Sequence, residues 1–142
     1  MPSERVPRRL RRQVGDRAQW RCEYCLSSAA FSTQPFQVDH IVPQSKGGPT
    51  ILENLALSCG CNGYKGDSTH ARDPQTGRIA RLFNPRRQRW TRHFGWSEDF
   101  LRIVGRTATG RATAGVLLLN RPELINLRRL LLLIGEHPPR EE

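Results

Sequence analysis

The sequence predicts an α+β fold, with a small cysteine-rich core at the N-terminal end and an extension of short strands and two helices after it. Three observations predict it. Two close cysteine pairs, Cys22-Glu-Tyr-Cys25 and Cys59-Gly-Cys61, bracket a strand-like run, Phe36–Val42. Leu10, Val14 and Ala18 recur every four residues through an Arg-rich stretch, which is one narrow apolar stripe of a helix. The aliphatic residues then concentrate in Val116–Ile134, a second helical block far from the cysteines.

In chain order, Pro7–Gln19 is the first helix and stops near Trp20, where "CEYC" begins. Residues 26–35 read as a loop. In Phe36–Val42 the residues Phe36, Val38 and His40 face one way, and Gln37, Asp39 and Ile41 the other. "KGG" before Pro49 is a turn, and Asn54–Ser58 is the return strand. "CNGYKGDSTH" opens a short helix against the resistance of Gly63 and Gly66. The turn Asp73–Gly77 divides the chain into 1–72 and 73–142. Beyond it "RIARLF", "RWTRHF" and "FLRIVG" read as strands and "TATGRATAGVLLLN" as a helix. The last helix has Asn120 as N-cap, Pro122 in the first turn and Glu123 three residues after the cap. Gly135 ends it, and Pro138–Pro139 prevent continuation.

Of 142 residues, 23 are Lys or Arg against 13 acids, a formal charge of +10 that favours a polyanionic partner such as nucleic acid. The start, "MPSERVPRRLRRQ", lacks the apolar run of a secretory signal, and no stretch reaches the roughly 20 apolar residues that span a bilayer. The expected location is the cytoplasm, with no membrane partner. Thiols there stay reduced, so paired cysteines bind metal more often than they form disulfides.

Cys22, Cys25, Cys59 and Cys61 therefore read as four soft ligands of one closed tetrahedral Zn²⁺. Four thiolates leave no open position, which makes that zinc structural. The second pair is C-x-C, one residue short of the usual knuckle, and is expected to hold its sulfurs with more strain. A disulfide and a partly lost site are the alternatives.

Asp39 and His40 are costly to bury in a strand, and Asn54, Asn62, Lys65, Asp67 and His70 lie near them in sequence. A carboxylate and an amide oxygen make a hard site suited to Mg²⁺ or Mn²⁺, and a histidine beside such an ion is a general base for water. Taken singly, His40 reads as a partly buried histidine bonded to a carbonyl, Asp39 as a turn carboxylate, Asn54 as an Asx-turn and Asn62 as a helix cap. Their joint occurrence between two cysteine knuckles is what argues for chemistry.

The order CxxC, "DHIVPQSKGG", "ENLALSC", "CNGYKGD", over roughly Arg17 to Asp67, resembles the HNH endonuclease family of the zinc-stabilised ββα-metal (His-Me finger) kind. The second half is similar to the tail of small stand-alone bacterial, notably cyanobacterial, members. The resemblance implies a nuclease core over 1–72 and an accessory strand and helix extension over 73–142 packed on it. It implies His40 as general base, Asn54 as the residue that orients the hairpin, and Asp39 and Asn62 as ligands of a catalytic Mg²⁺ or Mn²⁺. Asn62 stands where many members have histidine, so the motif reads H-N-N. DNA is the implied substrate, with a 5′-phosphate and a 3′-hydroxyl as products. Lys46 and Lys65 flank the site as phosphate contacts, as do Arg86, Arg87 and Arg89 further on. Around Arg86–Arg92 the aromatics Trp90, Phe94 and Trp96 read as a small core with an arginine edge. The rival reading is a zinc-knuckle nucleic-acid-binding module without catalysis; a weaker one is a toxin-like interaction module.

Overall fold

The computed structural model describes residues 6–140. The first helix, α1 (Arg8–Arg17), starts after the extended Pro7 and turns Val14 fully inward, with Leu10 and Ala18 packed beside it. Strand β1 (Gln37–His40) pairs antiparallel with β2 (Leu55–Ser58), with Asp39 opposite Ala56 and His40 opposite Leu55. All four β2 residues are buried, since the strand lies between α1 and the cysteine loops. Arg17 ties α1 to this hairpin by donating to the carbonyls of Leu52 and Leu55 at 2.9 and 2.6 Å. Helix α2 (Cys61–Lys65) follows at once, and Gly66 ends it. The chain is thus a small mixed α and β protein.

The strand is shorter than the Phe36–Val42 expected, and within it Gln37, Asp39 and His40 take the alternate faces foreseen. Gln37 and Asp39 face α2, where they meet Asn62 and Lys65, and His40 faces the loop that carries Thr50.

Further on, β3 (His70–Arg72) and β4 (Ile79–Arg81) form a hairpin whose turn is Asp73–Gly77, with Gly77 at φ +75°. Asp73 is fully buried and receives two bonds from Arg111 at 2.9 Å. Helix α3 (Trp90–His93) runs directly into β5 (Phe94–Trp96), which pairs with β6 (Ile103–Gly105). The segment Trp90–His93 is therefore a helical turn and not the strand its sequence suggested. Four strand residues would set the Trp90 and Phe94 rings about 13 Å apart; one helical turn brings them to 5.2 Å. Trp90 also donates to the Tyr24 carbonyl at 2.9 Å, which joins this turn to the first cysteine knuckle.

Helix α4 (Ala108–Val116) is capped by the Thr107 hydroxyl, which accepts from the Gly110 amide. Helix α5 (Pro122–Leu133) has Pro122 at its start as expected, but its N-cap is Arg121 and no side chain caps it. Asn120 has a stronger use: its amide exchanges two bonds with the backbone of Ile103, at 2.7 and 2.9 Å, and so fastens the start of α5 to β6. Gly135, at φ +73°, ends the helix as predicted. Arg128 lies buried on α5 and donates to the carbonyls of Leu101 and Leu119. One apolar cluster runs from Val14, Leu55 and Leu57 to Phe83, Phe94, Leu117 and Leu124. Among the described residues no helix is long and apolar enough to cross a membrane.

Candidate metal centre and active site

The four cysteine sulfurs lie within 4.8 Å of one another, and none is in a disulfide. Cys22 and Cys61 are 4.0 Å apart, Cys25 and Cys59 3.3 Å, Cys59 and Cys61 3.7 Å. A regular tetrahedron with Zn–S bonds of about 2.3 Å has sulfur–sulfur edges of about 3.8 Å. The donor set and its spacing therefore fit a structural zinc. The short second knuckle works because its one intervening residue is Gly60, at φ +129°, a backbone conformation that a residue with a Cβ rarely adopts. The first knuckle turns at Leu26, at φ +64°, and is closed by the Cys22 amide on the Ser27 carbonyl.

One residue of this centre was not legible in the sequence. Arg121, at the start of α5, donates to the sulfurs of both Cys59 and Cys61 at 3.5 Å. Its guanidinium also lies 5.0 Å over the Tyr64 ring. Nothing in "LNRPEL" marks this role, because the contact spans some sixty residues of chain.

On the face of β1 covered by α2, Asp39 is buried. Its carboxylate accepts from the Tyr24 hydroxyl at 2.5 Å and sits 3.1 Å from the Lys65 ammonium. Lys65 is only 2% exposed and donates also to the carbonyls of His40 and Ile41, both at 3.1 Å. Burial raises the Asp39 carboxyl above its usual range, against the pull of Lys65 and Tyr24. Burial likewise raises the Tyr24 hydroxyl, and the neighbouring Asp39 adds to it. Tyr24, inside the CEYC knuckle, links the cysteine centre to Asp39, a contact the sequence did not mark.

Asn62, three residues before Lys65 on α2, donates from Nδ2 to Gln37 at 2.8 Å. Its Oδ1 is buried and has no hydrogen-bond partner among the described residues. An orphaned buried carbonyl oxygen carries a desolvation penalty, and a hard cation is one way to satisfy it. Lys65 thus links Asp39 to the same short helix that carries Asn62.

His40 lies on the other side of the strand, half-buried, with Nε2 2.9 Å from the Thr50 hydroxyl. Gln44 donates to that same hydroxyl at 3.2 Å. The loop that presents Thr50 is held by Asn54, which is buried. Asn54 Oδ1 accepts from the Val42 amide, and Nδ2 donates to the carbonyls of Val42 and Pro49, all within 2.9–3.0 Å. A side chain at Gly48 would strike the Val42 carbonyl, so the loop closes this tightly only on glycine.

The basic residues divide. Lys46, Arg87 and Arg89 are exposed. Arg86 is half-buried in an ion pair with Glu23, whose carboxylate also accepts from the Leu57 amide. Lys65 is turned inward, as described.

Residues 22–68 match the family model of HNH endonucleases. The match takes in the four cysteines, the Asp39–His40 pair, Asn54 and Asn62, and covers about a third of the chain. Neither the curated proteins nor the solved structures give a match. The HNH match points to a nuclease-type function and to nucleic acid as the partner.

Proposed function

We propose that this protein is a divalent-metal-dependent DNA endonuclease with a ββα-metal core, stapled by a structural zinc on Cys22, Cys25, Cys59 and Cys61. The observation that carries the reading is the setting of the Asp39–His40 pair. It lies inside the segment matched by a nuclease family, and it is joined to the cysteine centre through the 2.5 Å Tyr24–Asp39 bond. In this reading Asp39 and Asn62 would hold Mg²⁺ or Mn²⁺, and the orphaned Asn62 oxygen supports that assignment. When bound, the ion neutralises charge building on the scissile phosphate and the leaving oxygen.

His40, its ring oriented by the Thr50 bond, takes the proton of the attacking water. Asn54 is a positioning residue that holds the loop bearing Thr50. Lys65 keeps Asp39 ionised and in place instead of touching DNA, while Lys46, Arg87 and Arg89 remain as phosphate contacts with the accessory half. The working location is the cytoplasm.

A specific observation favours the rival, non-catalytic reading: Asp39 is already paired with a buried lysine. Plasmid nicking separates the two. Zinc-loaded wild type is expected to nick supercoiled DNA only with added Mg²⁺ or Mn²⁺, and His40→Ala to lose nicking while keeping its zinc and its DNA affinity. No nicking by a wild type that binds zinc and DNA would leave the binding module as the function.

A further inference from the structure

On the far side of the first knuckle, between α3, the β5–β6 hairpin and the segment at Pro138–Arg140, lies a cavity of about 540 Å³. It is lined by Trp90, Trp96, Phe100 and the two prolines, with Arg106 and Arg140 at its edge. The tryptophans are engaged in the fold. Trp90 and Trp96 pack at 5.6 Å, and Trp96 also meets His137 at 4.6 Å and Arg128 at 5.3 Å. Among the described residues the Phe100 ring enters no such aromatic or guanidinium contact.

Phe100 sits in the turn of the β5–β6 hairpin, 42% exposed, at φ +62°. That left-handed conformation suits glycine or asparagine and strains a bulky residue. The turn is pinned from several sides. The Ser97 amide donates to Arg102 and the Phe100 amide to Ser97, while Asp99 accepts from the Ser97 hydroxyl and the Leu101 amide. His137 bonds the Phe100 carbonyl at 2.7 Å. A rigid turn thus presents an aromatic ring to solvent at a position where the backbone asks for a smaller residue.

Arg106 lines the same cavity. A side chain at Gly95 would overlap the Arg106 guanidinium, so Gly95 lets that group lie flat along the hairpin. Among the described residues neither Arg106 nor Arg140 enters an ion pair. An exposed aromatic face in one cavity with two guanidinium groups that enter no ion pair among the described residues, in a chain of charge +10, is complementary to a strand with planar bases and phosphates. A base in a duplex has its faces covered by its neighbours and cannot use such a site unless it is unstacked.

We propose that this cavity binds an unpaired nucleotide of a DNA strand, its base stacked on Phe100 and its phosphate held by Arg106 and Arg140. The site would direct the protein to DNA with a single-stranded segment, such as an overhang, a gap or a flap. The proposal rests on nucleic acid being the partner but not on catalysis.

The test measures binding of zinc-loaded protein, without added divalent ion, to a labelled oligothymidylate and to a blunt duplex, by fluorescence anisotropy. Wild type, Phe100→Gly, Phe100→Ala and Arg106→Gln are compared. Loss of one stacked base is expected to weaken single-strand binding about tenfold in both Phe100 variants and to leave duplex binding unchanged. Arg106→Gln should weaken it several-fold. Phe100→Gly relieves the backbone strain, so its melting temperature should equal or exceed that of wild type; lost affinity in a protein at least as stable excludes a folding defect. Unchanged single-strand binding in the Phe100 variants overturns the proposal. So does equal weakening for both DNAs, or displacement of the strand by a proline-rich peptide alone. A wild type that binds neither DNA overturns it together with the nuclease reading. Selective single-strand loss in a protein that never nicks plasmid would sustain the pocket and remove the nuclease.

Discussion

Lys65 and Asp39 form an ion pair 3.1 Å long with both side chains buried. Each charge has left water, and each is tolerated only because the other is there. Removing one partner should therefore be worse than removing both. Lys65→Met is expected to lower stability by about 3–5 kcal/mol in urea unfolding of the zinc-loaded protein. Asp39→Asn combined with Lys65→Met should fall well short of the sum of the single changes. The pair also bears on the proposed divalent-ion site. With the ammonium gone, Mn²⁺ should raise the melting temperature of Lys65→Met more than that of wild type. Equal shifts in the two proteins would remove Asp39 from the metal site.

Asn54 spends both ends of its amide on one loop, closing Val42 onto Pro49. Asn54→Ala leaves the part-buried Val42 amide and the Val42 and Pro49 carbonyls without those partners, for an expected loss of about 1–2 kcal/mol. The loss should be local as well as global. Hydrogen exchange in the peptide spanning 41–52 should accelerate in the variant under native conditions, while α5 keeps wild-type protection. Unchanged protection of 41–52 would mean that the loop is held by something other than Asn54.

How much of this could be read from the sequence differs by residue, for physical reasons. The four cysteines were legible because a tetrahedral ion imposes a spacing pattern, and the strand period told which face Asp39 and His40 would take. The partners of those residues were not. Tyr24, Thr50 and Arg121 reach their places through side-chain contacts across long stretches of chain, and no local spacing encodes such a contact. The same holds for Lys65, whose sequence position beside the motif suggested a phosphate contact while the fold turns it inward. In the second half, local preference was overruled twice. Trp90–His93 became a helical turn to bring two rings together, and Asn120 left its capping role to bond β6. The helix stop at Gly135 was read correctly, because a left-handed terminator is a property of one residue.

Arg121 bridges the two sulfurs of the shortened knuckle and sits on a different half of the chain from them. A thiolate-rich centre carries net negative charge when metallated, and a guanidinium beside it favours that charge. Outer partners of this kind commonly change metal affinity 10- to 100-fold. Arg121→Gln is expected to speed zinc transfer to a colorimetric chelator about tenfold, with Cys59 and Cys61 intact. Arg121→Lys should fall between, since one ammonium replaces a planar fork that reaches both sulfurs. A transfer rate equal to wild type in Arg121→Gln would leave the residue as a packing contact with Tyr64.

Asp73 gives the hairpin turn an acid-sensitive joint. The Arg111 bonds hold its carboxyl well below the ordinary carboxylate range, assisted by the Gln75 amide and the Thr76 hydroxyl and opposed by burial. A depressed carboxylate adds stability above its unfolded pKa, near 4, and that contribution fades as pH falls from there through the lower folded value. At pH 7, Asp73→Asn should therefore melt below wild type, and the gap should narrow steadily as the pH is taken from about 5 towards 3. Cysteine ligands protonate in acid, so zinc content is followed in parallel and the difference between the two proteins is the quantity read. A gap that stays constant over this range would show that Asp73 acts through hydrogen bonds alone, with no dependence on its charge.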